Sequence, residues 1–323
     1  MRVSIIIPAY NMENYISRTL QSCVCQEYSN IEIITVDDGS IDQTCKVIDT
    51  FDDPRIVKLT QPNKGVSAAR NLGLRIATGD CCIFLDGDDW LEPNAIKCLV
   101  EAYEREKCFI ISTYKDAYLK NNMIQLDNSG DMLGVAEHIT WAGYAKSYCS
   151  YFHLQSSCYK LFDMQIIRNN GIYFDETITH GEDGLFVCQY LKYTKELYYL
   201  PKQLWVILNR PNSASRSQFN PTQLSMFCAI DQMEAISMTE ADKDYFRCYR
   251  CERIYYFGWK LITSENRDPK IIERMSRMLQ NNVHRFFFGK QKLRWKAKYL
   301  FMLLWYACHT HKWLIGRKGE SKS

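Results

Sequence analysis

The chain of 323 residues lacks any apolar stretch long enough to span a bilayer. Its longest C-terminal run, Tyr299 to Cys308, is about half of the roughly 20 residues that a membrane helix needs. After Arg2 only five residues precede Pro8, too few for the apolar core of a secretion signal. Low-complexity tracts and internal repeats are absent, and neither G-x-x-x-x-G-K-[ST] nor G-x-G-x-x-G occurs. P-loop NTPase and dinucleotide-binding readings therefore lose their main support.

Acidic residues are missing from one region only. Between His284 and Gly319 there are nine Lys or Arg and no Asp or Glu, although the whole chain carries a formal net charge of just +3. The rest then holds 31 basic against 37 acidic residues, so the asymmetry marks the tail as an interaction surface. Leu293, Ala297, Leu300, Phe301, Leu304 and Cys308 form one apolar stripe at helical spacing in that tail. Such a stripe either packs on the rest of the protein or, flanked by Lys, Arg, Trp295, Trp305 and Trp313, lies on anionic lipid. Membrane-surface contact is thus an expectation for residues 285–318. Nucleic acid is not an expected partner, because no recognised binding motif accompanies the charge.

Cysteine is not scarce: there are fourteen. The chain is too large and too apolar-patterned for a disulfide scaffold, and Cys23, Cys25, Cys81, Cys82 and Cys98 sit in apolar runs as small hydrophobes. A reducing, cytoplasmic location is the expectation. Cys248 and Cys251 make a lone C-x-x-C within a predicted helix, without the second pair or βαβ setting that would signal metal or redox chemistry.

At this length one or two domains are expected. The first hundred residues alternate strands (Val3–Ile7, Ile31–Val36, Ile56–Leu59, Cys81–Leu85) with helices (Tyr15–Cys25, Asp42–Phe51, Val66–Ala77). This βα alternation predicts an α/β fold with a Rossmann-like, mostly parallel sheet flanked by helices. Pro93 suits the first turn of a further helix reaching about Arg105. Strands are then predicted at Leu119–Leu126 and Leu197–Leu208, and helices at Tyr159–Arg168 and Glu182–Tyr190. Beyond Pro211 four helices are expected, at Asn220–Ser237, Ala241–Ser264, Lys270–Phe288 and Lys292–His309. The predicted parts are a nucleotide-binding half over 1–105, a substrate-binding half over 106–215 and a helical region over 216–323.

Four predicted strand ends deliver polar residues to one edge, because parallel strands end on the same side. They carry Pro8-Ala9-Tyr10-Asn11, Asp37-Asp38-Gly39-Ser40, Lys64-Gly65 through Arg70-Asn71, and Asp86-Gly87-Asp88-Asp89. Clustered carboxylates repel unless a cation neutralises them, and Mg²⁺ or Mn²⁺ bridging to a diphosphate meets that need. Asp38 suits a nucleobase N–H and Tyr10 its ring face. Lys64, Gly65 and Ser67 open a helix, where free N–H groups favour anions. Arg70 reaches either a phosphate or the acidic cluster, with a surface salt bridge as the plain alternative.

These segments resemble the inverting family-2 glycosyltransferases of the GT-A fold, of the type that builds bacterial capsule, O-antigen or exopolysaccharide. The resemblance rests on four motifs in order: Val-Ser-Ile-Ile-Ile-Pro-Ala-Tyr-Asn at 3–11, Val-Asp-Asp-Gly-Ser at 36–40, Gly-Val-Ser-Ala-Ala-Arg-Asn at 65–71 and Phe-Leu-Asp-Gly-Asp-Asp-Trp at 84–90. It implies a nucleotide-diphosphate sugar donor, UDP by family frequency, and a saccharide or lipid-linked saccharide acceptor. It also implies a metal-binding Asp-x-Asp, with Asp88 the direct ligand and Asp86 nearer the donor sugar. Inverting transfer needs a general base on the acceptor hydroxyl. Thr179-His180-Gly181-Glu182-Asp183 looks like the family's Glu-Asp motif, which assigns Asp183 as base and Glu182 to acceptor binding, with His180 the alternative base. Acidic residues in a helix's first turn would also suit the macrodipole without any catalytic role. Asn209-Arg210-Pro211 resembles a family loop that would bring Arg210 toward the diphosphate. A sugar-nucleotidyltransferase and a silent nucleotide-sugar-binding protein are the rival readings. The former expects a Gly-rich basic loop where this chain has Pro8-Ala9-Tyr10-Asn11.

Overall fold

Seven consecutive buried residues in β1 (Val3–Ala9), and again in β2 (Ile31–Asp37), set the architecture. Apolar runs without polar alternation belong to parallel strands covered on both faces. The structure, a computed structural model, describes residues 1–120, 123–127, 137–148, 152–194, 196–210, 218–266, 268–284 and 299–306.

The covering helices are α1 (Ile16–Val24), α2 (Thr44–Asp49) and α3 (Val66–Ile76), alternating with β3 (Ile56–Thr60) and β4 (Cys81–Phe84). Next come β5 (Trp90–Leu91), α4 (Ala95–Glu106), β6 (Phe109–Lys120), β7 (Met123–Asp127) and β8 (Glu137–Thr140). After them follow α5 (Trp141–Tyr148), α6 (Phe152–Gln155), β9 (Lys160–Asp163), α7 (Met164–Asn170), α8 (Glu182–Leu191) and β10 (Glu196–Asn209). A 3₁₀ turn (Pro221–Ser225), α9 (Met226–Ile236), α10 (Glu240–Thr263) and α11 (Pro269–Asn281) make the helical C-terminal region, together with the helical segment 299–306.

One sheet runs through both halves in the order β3-β2-β1-β4-β9-β6-β10-β5. The first four strands are all parallel, as the βα alternation requires. β9 is inserted antiparallel to both β4 and β6, whereas β6 and β10 are again parallel to each other. The result is the GT-A architecture with a helical C-terminal region.

Two expected elements are corrected. Tyr159–Arg168 is not one helix, because Lys160–Asp163 fills the gap between β4 and β6 as a strand. A short apolar run cannot declare helix or strand by itself, and here the sheet decides. Asp163 then caps α7, its carboxylate accepting from the Gln165 N–H at 2.7 Å. Leu119–Leu126 is not one strand either. It is the end of β6 and the start of β7, paired Lys120 to Met123 as an antiparallel hairpin.

An aromatic cluster lies under the sheet's edge. Phe174 and Phe186 stack at 4.1 Å, and Phe84 meets Phe174, Phe186 and Phe162 edge-on at 5.1, 5.5 and 5.7 Å. This fixes α8 and the segment carrying Phe174 against β4. No described cysteine forms a disulfide; Cys23, Cys81, Cys82 and Cys98 are buried as expected. Cys25 is the exception, exposed because α1 ends at Val24.

The tail stripe also turns out differently from a packed face. Tyr299, Met302 and Tyr306 are the buried residues of 299–306, with Tyr299 Oη donating to Leu279 O and Tyr306 Oη to Gly258 O. The opposite side carries Leu300, Phe301 and Leu304, which are 49%, 51% and 60% exposed. Leu293, Ala297 and Cys308 lie outside the described residues, as does most of 285–318.

Candidate active site

Strands β1 to β4 are parallel, so their exits face the same way and their loops brace one another. The Asp38 N–H donates to Ala9 O at 2.8 Å. Asp38 Oδ1 accepts from Gln61 Nε2 and the Lys64 N–H at 2.7 and 2.9 Å, and Oδ2 accepts from the Gly65 N–H at 2.8 Å. Asp38 is therefore the anchor of the loop that opens α3. Three of a carboxylate's roughly four acceptor positions are filled, which leaves one for a ligand. Asn11 takes φ +53, accepts from the Ile41 N–H at 3.0 Å and donates its own N–H to Ser40 Oγ. Tyr10 is 41% exposed and Pro8 is buried beside it. The Lys64 side chain is exposed at the same edge.

The acidic turn follows β4. A Cβ on Gly87 would stand 3.1 Å from Pro8 O, so the turn lies directly against the end of β1. The Thr19 hydroxyl is 3.0 Å from Gly87 O and 2.7 Å from Asp89 O, which fixes the turn from below. Asp89 is the structural member of the three: it is buried and accepts from the Leu208 N–H at 3.0 Å, linking the turn to β10. Burial, then the charges of Asp88 and Asp86, push its pKa well above the ordinary carboxylate value. Asp86 and Asp88 are each met by an arginine instead. Arg70 Nη2 donates to Asp86 Oδ1 at 2.8 Å, and Arg210 Nε donates to Asp88 Oδ2 at 2.6 Å. Burial and Asp86 raise the Asp88 pKa, and Arg210 works against them. The Arg210 guanidinium also lies over the Tyr15 ring at 5.1 Å.

Arg70 is the hinge of the arrangement. It is 3% exposed, and its other nitrogen, Nη1, donates to Asp183 Oδ1 at 2.6 Å. Its guanidinium stacks over Phe174 at 5.3 Å, and Asn71 pins that segment by bonding the Phe174 N–H and carbonyl. Burial opposes the charge on Arg70, but Asp183 and Asp86 outweigh it and raise the pKa further. Asp183 Oδ1 also accepts from Ser157 Oγ at 2.8 Å. Among the described residues every bond to this carboxylate falls on Oδ1, which leaves Oδ2 for a substrate. Burial, then Asp183, raises neighbouring Glu182 to about 8.

Gly181 places these two acids. Its φ of +87 suits glycine, and a Cβ there would stand 2.6 Å from Met226 Sδ. Any side chain would push α9 off the start of α8. His180 makes its bonds elsewhere, its N–H to Ser225 Oγ and its ring to Thr179 Oγ1, and among the described residues no bond ties it to the Asp183 network.

Comparison with known proteins follows the same lines. The family described as Glycosyl transferase family 2 matches residues 4–170. The chain belongs to glycosyl transferase family 2. It is 30% identical to glycosyltransferase GlyA of Streptococcus pneumoniae over 243 residues, 72% of this chain and 34% of GlyA. It is 39% identical over 123 residues, 38% of this chain and 48% of the relative, to an Escherichia coli protein, WfaP. That relative is named as a UDP-Glc:alpha-D-GlcNAc-diphosphoundecaprenol beta-1,3-glucosyltransferase. The chain thus spans between a third and a half of these two relatives. Among solved structures, S. aureus TarS 1–349 with UDP-GlcNAc matches at TM-score 0.71 and 20% identity, over 98% of this chain and 92% of TarS 1–349.

Within this family-2 chain, Asp86 and Asp88 suit a hard divalent cation. They are oxygen donors on one turn, and each is held by a guanidinium that a cation could replace. No group of three or more His, Cys, Asp or Glu side chains forms a complete cage among the described residues. Mg²⁺ and Mn²⁺ do not require one, since one or two carboxylates suffice when phosphate oxygens complete the shell. Among the described residues Ser67 Oγ and Arg70 Nε, one turn apart on α3, are two of seven buried side-chain atoms without a hydrogen-bond partner, places for a water or a ligand atom.

The sequence reading missed Ser157, Phe174 and the anchoring role of Asp38. Ser157 carries no motif, and its importance comes from the antiparallel insertion of β9. Cys248 is exposed, whereas Cys251 is buried with its Sγ 3.7 Å from Asn282 Oδ1.

Proposed function

We propose that this chain is a metal-dependent, inverting glycosyltransferase that moves a sugar from a UDP-sugar to a hydroxyl of a saccharide or lipid-linked saccharide in bacterial surface-polysaccharide synthesis. The observation that carries it is Arg70, whose single guanidinium holds Asp86 on one side and Asp183 on the other. The proposed donor carboxylate and general base are thereby bridged by one side chain, near enough to each other to serve a single transfer. The names of WfaP and of TarS with UDP-GlcNAc support the donor and acceptor classes.

On this reading residues 1–105 bind the nucleotide sugar, 106–215 form the acceptor half and 216–323 form the helical region, whose α9 packs on the start of α8. Asp38 takes a base N–H at its remaining acceptor position, Tyr10 stacks on the base, and Pro8 and Asn11 shape the floor. Lys64 and Arg210 face the diphosphate, and Gly65, its N–H held by Asp38, shapes the loop that presents Lys64. Asp86 meets the donor sugar, Asp88 would hold the cation, and Arg210, bonded to Asp88 in the free chain, would stand beside the leaving phosphate. Bound Mn²⁺ or Mg²⁺ supplies a Lewis acid for charge on the departing diphosphate. Asp183 Oδ2 accepts the acceptor's proton as its oxygen attacks. Arg70 and Ser157 hold Oδ1 and so fix the direction of Oδ2. Glu182, largely protonated at neutral pH, donates a hydrogen bond to the acceptor.

The reading also includes contact with the cytoplasmic membrane face. Leu300, Phe301 and Leu304 are exposed on one side of their helix and Phe301 lies 6.2 Å from exposed Trp259. From His284 to Gly319 the chain around that helix is rich in Lys and Arg and free of acids. Apolar and aromatic side chains beside cationic segments suit an anionic lipid surface. Among the described residues no helix is long and apolar enough to cross a membrane.

The test is release of nucleoside diphosphate from UDP-glucose, UDP-N-acetylglucosamine, UDP-galactose, GDP-mannose and dTDP-glucose with Mn²⁺ and a glycosyl-diphospholipid acceptor. Turnover of a UDP-sugar, lost with EDTA and restored by Mn²⁺, is expected, with an inverted anomeric centre in the product. Absence of metal-dependent turnover with every donor overturns the reading.

A further inference from the structure

Lys160 is fully buried, and neither donor binding nor the base uses it directly. It opens β9 in register with Ile111 of β6. Its ammonium donates to Ser156 O at 2.5 Å and to Cys158 O at 3.3 Å. The clamped residues 156–159 form a tight turn into the strand. Tyr159 takes φ +67 there, a left-handed conformation that non-glycine residues adopt rarely. Ser112 holds the Tyr159 carbonyl through its N–H at 2.7 Å, and the Cys158 N–H donates to Ser156 Oγ at 3.1 Å. Ser157 sits between the two clamped carbonyls, itself fully buried, and it is the residue whose hydroxyl bonds Asp183.

We propose that Lys160 is a positioning residue for the transfer reaction: it clamps the 156–158 turn so that Ser157 holds Asp183 Oδ1 and leaves Oδ2 aimed at the acceptor hydroxyl. The inference rests on Asp183 being the base. A purely structural plug at this place would be apolar. Desolvating an ammonium is costly, and a Met or Leu would fill a similar volume without that cost. What the ammonium adds is two directed bonds to backbone carbonyls, one on each side of Ser157. Burial draws its pKa down to about 7, with Cys158, Asp183 and Cys188 opposing the fall, so the charges of Lys160 and Asp183 act on each other.

The experiment is a double-mutant cycle on the full chain, using whichever of UDP-glucose, UDP-N-acetylglucosamine and UDP-galactose turns over fastest. Ser157→Ala is expected to lower kcat about tenfold, the worth of one hydrogen bond to a charged group. Lys160→Met is expected to lower kcat at least as much, with donor KM unchanged within about threefold. The double variant should be no slower than Lys160→Met alone, because one residue acts through the other. Ser157→Thr, which keeps the hydroxyl, should recover most of the rate. Multiplying losses, or an unchanged kcat in either single variant, overturns the proposal. If Lys160→Met does not fold, Lys160→Gln carries the same cycle. A second readout needs no substrate: amide hydrogen exchange at 156–159 should quicken about tenfold or more in the Lys160 variant. Wild-type exchange rates there overturn the clamp. If the wild-type enzyme turns over no donor, the functional reading fails and the exchange measurement still decides the clamp.

Discussion

The donor side and the base side of this site are built in opposite ways. On the donor side the working residues lie in short contiguous segments after parallel strands, braced both one strand over and, through Asp89–Leu208 and Asp88–Arg210, across 119 and 122 residues of chain. Asp38 ties down the Lys64-Gly65 loop, and Asp89 ties the Asp86–Asp88 turn to β10. On the base side the acids Glu182 and Asp183 are contiguous, but what holds Asp183 is not. Asp183 is held by Ser157, 26 residues earlier, and by Arg70, 113 residues earlier. The donor side is a set of contiguous motifs placed at the ends of a parallel sheet, whereas the base is held by single residues from separate elements, Ser157 and Arg70. Arg70 belongs to both, so it should be the most sensitive position in the protein.

Arg70→Ala breaks both sides at once and should have the largest effect. It removes the partner of two carboxylates, and losing one member of a buried ion pair costs roughly 3–5 kcal/mol. The lower end of that range applies here, because Asp86 is 40% exposed. Turnover should fall about a thousandfold or more with donor KM raised, measured alongside urea unfolding. Asp88→Asn breaks the donor side alone. A loss of about a hundredfold in kcat/KM is expected, with a matching rise in the Mn²⁺ concentration needed for half-activation.

Glu182→Gln sharpens the comparison through pH. The folded-state pKa of Glu182 is raised from 4.5 to about 8, so folding takes up a proton across that window. Its contribution is present below pH 4.5 and is lost as pH rises through 8. Glu182→Gln escapes this loss, and its melting temperature relative to wild type should climb between those values. At neutral pH, where Glu182 is mostly protonated, activity should change less than about threefold. The smallest catalytic effect belongs to the far surface. Leu300→Ser/Phe301→Ser/Leu304→Ser should weaken sedimentation with phosphatidylglycerol vesicles at least severalfold and leave turnover of a water-soluble acceptor unchanged. Undiminished vesicle binding would remove that face from the membrane reading.

The same contrast explains what could be read from the sequence. β1 to β4 and their helices were legible to within about two residues, because apolar runs and turn residues there are local signals. The strand-end motifs were equally legible, and the resemblance added the Glu-Asp pair. β9 was not, since Lys160-Leu161-Phe162 has no period of its own and becomes a strand only by filling the sheet. The roles of Ser157 and Lys160 were hidden with it. The tail stripe was recognised as apolar, but periodicity alone does not say which side of a helix faces inward. Buried Tyr299, Met302 and Tyr306 settle that, through contacts with α10 and α11.

The most direct test of the account separates the two sides in one variant. Asp183→Asn should bind UDP with Mn²⁺ within about threefold of wild type by calorimetry, while single-turnover sugar transfer falls by a factor of about 10²–10⁴, the worth of a general base. Transfer at the wild-type rate, or loss of UDP binding together with transfer, would contradict it.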